Sequence, residues 1–131
     1  MTTELVLLAA SIVLGIVHII VASNLQSWQR GYERTASSRE QSVAPLTGAA
    51  GRAERTLRNY LETFPFFAAA ILVASVTNTH GWLTVLGAHF YLWGRIAYAI
   101  LYLAGVPLVR SLVWNIPAIG IFMIVTALFL K

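Results

Sequence analysis

Four apolar runs, each close to the roughly 20 residues that a helix needs to cross a bilayer, constrain the fold of this chain most. We place them at about residues 5–25, 57–77, 82–104 and 111–130. Short turns containing glycine separate the last three runs, and one long connection, about residues 26–56, separates the first two. The pattern predicts an all-α integral membrane protein, in which residues 1–131 form a single four-transmembrane-helix bundle.

The composition agrees with a membrane protein. Of the 131 residues, 58% are hydrophobic and 11% are charged, whereas a soluble domain is about one-quarter charged. Cysteine is absent and the three histidines lack metal-ligand spacing, so we expect no metal site. The formal charge of +4 lies in arginines beside apolar spans, which favours anionic lipid or an anionic substrate over nucleic acid. A cleaved signal peptide is disfavoured, because no lysine or arginine precedes the first span.

The basic residues predict the orientation of the bundle. Seven arginines lie in or beside the connections on one side, against a single lysine, Lys131, on the other. Because basic residues are enriched in cytoplasmic loops, we expect the long connection in the cytoplasm and both termini outside. The arginines are Arg30, Arg34, Arg39, Arg52, Arg55, Arg58 and Arg110.

One polar face enters the second span. On a helical wheel its three arginines, one amide and one acid share an arc of about 120°. The arginines alone could extend their side chains to the lipid headgroups. Glu62 is short and anionic, however, and lies about 6 Å deeper than Arg58, so its carboxylate needs a partner. The face comprises Arg52, Arg55, Arg58, Asn59 and Glu62.

The third span contains a charged residue that could be this partner. Arg95 lies in an otherwise apolar run and shares an arc of about 60° with Tyr91, Tyr98 and Tyr102. At about 1.5 Å per residue, the depths of Glu62 and Arg95 differ by no more than the reach of an arginine. We therefore predict a charge-assisted pair between the two helices. A charge inside the membrane indicates a functional site, and the alternative is a pair that only fixes the helix register.

Arg110 and Ser111 begin the fourth span on the same side, so three helices bring polar groups to similar depths. Guanidinium groups bind carboxylates bidentately and a carboxylate can bind an ammonium group, which suits a small polyanion with one cationic group. The lipid boundary would admit an apolar second substrate. Glutathione is one candidate among several polyanions, and an arginine near its thiol would favour the nucleophilic thiolate.

The same stretches resemble a known family. The segments RAERTLRNYLETFPF, GRIAYAILY and PLVRS, within residues 52–111, are similar to the membrane-associated proteins in eicosanoid and glutathione metabolism. That family includes microsomal glutathione transferases, leukotriene C synthase and microsomal prostaglandin E synthase. The short chain and plain loop look like the bacterial members, which implies a bacterial inner membrane.

The resemblance implies four-helix protomers assembled as a homotrimer, with glutathione as co-substrate between neighbouring subunits near the cytoplasmic face. It implies that Arg110 stabilises the thiolate, with Ser111 beside it as a second catalytic residue. Arg30 is the nearest match to an arginine that the first helix contributes in the prostaglandin enzyme. The resemblance assigns glutathione binding to Arg55, Arg58, Asn59, Glu62, Arg95, Tyr98 and Tyr102.

Three functions compete at this point. The first is a glutathione-dependent transferase or peroxidase that acts on lipophilic electrophiles. The second is a lipid-binding or scaffold protein on the same fold without chemistry. The third is a small transporter or channel subunit, which is disfavoured because the charged groups cluster towards one side of the membrane. The electrophile is not specified, since apolar contacts discriminate weakly between lipophilic substrates.

Overall fold

The computed structural model describes residues 1–30 and 46–130, except for the side chains of residues 107–110 and 112. The described chain forms four helices and no strand. They are α1 (Thr3–Arg30), α2 (Gly48–Val76), α3 (Trp82–Leu103) and α4 (Pro107–Leu130). The all-helical prediction is confirmed. We call the end of the bundle where α1 finishes and α2 begins the loop end, and the opposite end, with the α2–α3 turn, the hairpin end.

Three helices of the described chain are long and apolar enough to cross a membrane: α1, α2 and the part of α4 from Val113 to Leu130. The third helix, α3, has 22 residues, or about 33 Å, which matches the hydrocarbon core of a bilayer. It is not among the three, because tryptophan, tyrosine, histidine and arginine side chains lower its mean hydropathy. Large exposed hydrophobic side chains, such as Val13, Phe66 and Phe122, form the surface that faces lipid.

The helices extend past the predicted spans at the loop end. Helix α1 continues to Arg30 and α2 already begins at Gly48, so both ends of the predicted connection 26–56 are helical. The apolar pattern marks only the part of a helix in lipid, whereas the backbone hydrogen bonds continue into the polar region. The Gln29 side chain makes three hydrogen bonds to Thr47, one each to the backbone N–H, the carbonyl oxygen and the hydroxyl of Thr47. These bonds join the end of α1 to the start of α2. The predicted loop residues Arg34 and Arg39 lie outside the described residues.

The two short turns stop their helices in the same way. Residues Asn78 and Gly105 have positive φ angles of 54° and 80°. In each case the next N–H bonds a carbonyl five residues back, which satisfies a carbonyl group at the helix end. The glycine of the turn after α2, Gly81, was expected from the sequence to stop the helix as part of that glycine-containing turn, but Asn78 has this role. Gly81 instead has extended backbone and precedes α3, where the Thr84 hydroxyl accepts its N–H.

Helices α2 and α3 lie in the centre, and in the described chain the outer helices α1 and α4 do not pack on each other. The α3–α4 pair packs most closely, because glycines remove the side chains at the crossing. A Cβ atom on Gly87 would lie 2.6 Å from the carbonyl oxygen of Gly120, and one on Gly94 would lie 2.8 Å from Pro117. Close approach of backbones through small residues is a common way to associate helices in lipid.

Candidate functional site

Two arginines of α2 bind the last turn of α3 at the loop end. The Arg52 Nε donates to the carbonyl oxygen of Leu103 at 3.2 Å, where the orphan carbonyls of a helix C-terminus favour a cation. One turn further along α2, the Arg55 Nε donates to the Tyr102 hydroxyl at 2.9 Å. These two hydrogen bonds fix the axial position of α2 relative to α3, with Arg52 beside Leu103.

Arg95 lies deeper between the same two helices and is completely buried. Its Nη1 donates to the Asn59 Oδ1 at 2.7 Å. Its guanidinium carbon lies 4.7 Å from the centre of the Tyr98 ring and 5.3 Å from that of Tyr60, so two aromatic faces stabilise the cation. The other two nitrogens, Nε and Nη2, are buried without a hydrogen-bond partner in the described chain.

The predicted ion pair between Glu62 and Arg95 is wrong within the chain. The described residues contain two ion pairs, Arg58–Glu54 and His80–Glu4, and Glu62 is exposed. Glu62 and Arg95 lie at depths that would allow contact, but the direction in which a side chain leaves α2 determines which residue reaches Arg95. Asn59 faces α3, whereas Glu62 is turned about 60° away around α2 and points to the outer face of the helix.

The remaining predicted site residues lie outside this cluster. Arg58 is exposed and its Nη2 contacts the Glu54 carboxylate at 2.9 Å, one turn back along α2. Ser111 is exposed near the start of α4. The backbone of Arg110 lies in the first turn of α4, but its side chain is outside the described part, so its role stays a prediction. The structure therefore brings together five of the predicted residues: Arg55, Asn59, Arg95, Tyr98 and Tyr102.

Sequence reasoning missed the polar face of α1. Glu4, Ser11 and His18 are buried and lie seven residues apart, which places them on one side of the helix. The Ser11 carbonyl oxygen accepts a hydrogen bond from the Tyr60 hydroxyl, and the His18 ring stacks on the Tyr60 ring with 4.6 Å between the ring centres. Glu4 pairs with His80 at the hairpin end. The seven-residue spacing of polar residues in an apolar helix could have indicated this face.

We call the five predicted residues that the structure brings together the loop-end cluster; it combines the guanidinium groups of Arg55 and Arg95 with the Asn59 amide and the hydroxyls of Tyr98 and Tyr102. This donor set suits the carboxylates of a small polyanion, since guanidinium forks and hydroxyls both donate to carboxylate oxygens. No group of histidine and acidic side chains among the described residues could hold a metal ion. The arrangement therefore offers electrostatic and hydrogen-bonding chemistry.

Fold and site together define an integral membrane protein of helical hairpins with a cationic cluster around the buried Arg95 near one end. The chain belongs to the MAPEG family, whose family model matches residues 7–130. That family includes glutathione transferases and peroxidases, and some of its members are non-catalytic. No curated protein and no solved structure matches the chain. The family resemblance expected from the sequence is confirmed, and membership supports a glutathione-related role in the membrane in general.

Proposed function

We propose that this protein is a membrane-bound transferase or peroxidase that activates glutathione against lipophilic electrophiles. Glutathione is the co-substrate, and the second substrate enters from the lipid. The loop end faces the cytoplasm of a bacterial inner membrane, in line with the arginines on that side. Family membership supports this class of function, and the loop-end cluster supplies the groups that the binding of a polyanion requires.

The single observation that carries the proposal is the position of Arg95. A buried charge in a membrane protein is costly and is retained where it has a role. Arg95 lies against the Tyr98 ring and makes one hydrogen bond, to the Asn59 side chain. Its two other nitrogens have no hydrogen-bond partner in the described chain. Arg55 and Tyr102 lie nearer the loop end of the same helices. An anionic ligand entering from the loop end would meet Arg55 first and then approach the cation below it.

The exposed residues fit a site that two copies of the chain share. Arg58 and Glu62 have polar groups on the outer face of α2, where lipid alone would solvate them poorly. In a homotrimer that face meets a neighbouring subunit. Glu62 can then bind the ammonium group of glutathione, and Arg58 can bind a carboxylate. Both residues keep their predicted binding roles, with a neighbouring copy closing the site.

The chemistry follows from the thiolate. In the transferase reaction the glutathione sulfur forms a bond to an electrophilic carbon, and the leaving group departs with the bonding electron pair. In the peroxidase reaction the sulfur attacks the terminal oxygen of a lipophilic hydroperoxide, and the O–O bond breaks to release the alcohol and leave a glutathione sulfenic acid. A second glutathione then converts the sulfenic acid to glutathione disulfide and water. Arg110 stabilises the thiolate before attack, and Ser111 positions the thiol.

A non-catalytic membrane protein is the second candidate. The observation in its favour is that Arg95 already has partners inside the chain, namely Asn59 and two tyrosine rings. Such contacts could serve helix packing alone. A protein of this kind would bind a ligand or a lipid without ionising the thiol of glutathione.

Conjugation of glutathione to 1-chloro-2,4-dinitrobenzene by the purified protein in detergent separates the two candidates. We expect turnover that saturates with glutathione and falls strongly in Arg55→Gln, which loses the hydroxyl contact and the positive charge. Thr77→Val, at the hairpin end, is the matched control and should keep full turnover. A rate equal to the uncatalysed reaction at saturating glutathione would favour the non-catalytic protein.

A further inference from the structure

The turn between α3 and α4 leaves the last carbonyl group of α3 to a side chain. The Gly105 N–H donates to the carbonyl oxygen of Tyr102 at 3.0 Å, and the Val106 N–H donates to that of Leu101 at 3.1 Å. This pair of bonds is the Schellman motif, which does not reach the carbonyl group of the last helical residue, here Leu103. The residue four positions after Leu103 is a proline, whose nitrogen carries no hydrogen.

Arg52 of α2 supplies the missing donor. Its Nε donates to the carbonyl oxygen of Leu103 at 3.2 Å, and the partial negative charge at a helix C-terminus favours a cation there. Its guanidinium group also lies on the turn itself, because a Cβ atom on Gly105 would be 3.9 Å from the Arg52 Cζ. Gly105 has a φ angle of 80° and reverses the chain at this point. Arg52 therefore fastens the α3–α4 turn to α2.

This turn determines where α4 begins. Only one residue separates Gly105 from Pro107, the first residue of α4. Arg110 and Ser111 follow within about one helical turn. The close contact of α4 with α3 at Pro117 lies about 15 Å further along the helix. The α3–α4 turn is therefore nearer to Arg110 than this helix crossing is, and it governs the position of the first turn of α4.

We propose that Arg52 is a positioning residue of the thiolate site, which holds the α3–α4 turn against α2 and so places Arg110 and Ser111 relative to the loop-end cluster. The inference rests on the proposed function, in which Arg110 stabilises the thiolate. Arg52 acts through the backbone of the turn and is not a member of the loop-end cluster. Glutathione binding by that cluster should therefore persist when Arg52 is replaced.

Hydrogen exchange of the glutathione-free protein in detergent tests the anchoring of the turn by itself. Arg52→Met keeps a long unbranched side chain but removes the donor and the charge. We expect the Gly105 and Val106 amides to exchange roughly fivefold faster, because one hydrogen bond fewer holds the turn. The Thr79 amide, in the turn at the hairpin end, is the internal control and should exchange as in the parent. Unchanged exchange at Gly105 and Val106 would overturn the anchoring.

Steady-state conjugation of glutathione separates positioning from charge. In Arg52→Met we expect the thiolate absorbance per bound glutathione to fall and kcat to fall about tenfold, while KM for glutathione changes less than about twofold. A higher KM with unchanged kcat would show that Arg52 only attracts the polyanion, and would overturn the positioning role.

Arg52→Lys is the conservative variant, because its ammonium group can donate to the Leu103 carbonyl oxygen and keeps the charge. We expect it to recover most of kcat. Equal kcat in Arg52→Lys and Arg52→Met would overturn the hydrogen bond to Leu103 as the cause.

The parent protein distinguishes failure of this inference from failure of the proposed function. A parent that binds glutathione without thiolate absorbance would overturn the proposed function, and with it the role of Arg52 in catalysis. A parent that forms the thiolate, with Arg52→Met forming it equally well, would overturn the positioning role alone.

Discussion

Arg95 shows how a single residue can be both buried and charged in this membrane protein. Placing an ion in a medium of low dielectric is unfavourable unless hydrogen bonds and opposite charge compensate. Here an amide oxygen and the faces of Tyr60 and Tyr98 take the place of a carboxylate. Such partners stabilise the cation only in part, and they leave two of its nitrogens available in the described chain.

The Asn59–Arg95 contact can be tested by stability. Asn59→Leu removes the amide that bonds a buried guanidinium, so we expect a loss of about 1–3 kcal/mol in the free energy of unfolding. The measurement is thermal unfolding in detergent. The double variant Asn59→Leu with Arg95→Met removes the stranded charge as well and should recover part of the loss.

Glu62→Gln is the control for that experiment. The structure places Glu62 on the exposed face of α2, apart from Arg95. We therefore expect Glu62→Gln to destabilise the glutathione-free protein less than Asn59→Leu does. Destabilisation by Glu62→Gln equal to that of Asn59→Leu would contradict the structure and restore the ion pair that the sequence predicted.

At the scale of elements, apolar periodicity and turn residues were sufficient to place four helices. They were not sufficient where a contact between helices determines the end of a helix or the partner of a side chain. The hydropathy of residues 57–77 did not reveal that α2 begins at Gly48, because that end is held by contacts such as Gln29–Thr47. The structure divides the predicted polar arc of α2: Arg52, Arg55 and Asn59 contact α3, whereas Arg58 and Glu62 are exposed on the outer face. Which member meets Arg95 depends on how α2 is rotated against α3, and one helical wheel cannot give that rotation.

The glycine contact between α3 and α4 gives a prediction at this scale. Gly87→Ala places a Cβ against the Gly120 carbonyl oxygen, and neither backbone can move without separating the helices. We expect a destabilisation of about 1–3 kcal/mol, measured by thermal unfolding in detergent.

Gly81→Ala is the matched control for the glycine contact. Its backbone is extended and a Cβ there would have no neighbour within 4 Å. We expect its melting temperature to equal that of the parent. Equal melting of Gly87→Ala and Gly81→Ala would show that α3 and α4 do not approach as closely as the structure has them.

At the scale of the whole molecule, orientation rests on the asymmetry of charge between the two ends. The chain contains no cysteine, so single introduced cysteines report without background. Ala49→Cys at the loop end and Gly81→Cys at the hairpin end are both exposed sites. In intact cells we expect a membrane-impermeant maleimide to label Gly81→Cys, and Ala49→Cys only after permeabilisation. The reverse pattern would place the loop end outside.

The assembly is a second property at this scale. A site that needs the outer face of α2 from one copy and a neighbour from another predicts an oligomer, and the family resemblance implies a trimer, with a protein mass three times 14.4 kDa. Native mass spectrometry from detergent measures it directly. A monomer that still binds and activates glutathione would show that Arg58 and Glu62 do not require a neighbouring copy.

The central claim is that the protein ionises the thiol of glutathione, and the ultraviolet absorbance of the thiolate on binding tests it most directly. One pKa unit corresponds to about 1.4 kcal/mol, so a lowering of roughly two to three units makes most of the thiol ionised at neutral pH. We predict a thiolate signal near one per bound glutathione that disappears in Arg110→Ala, while the affinity falls less. A parent protein that binds glutathione without any thiolate absorbance would contradict the account.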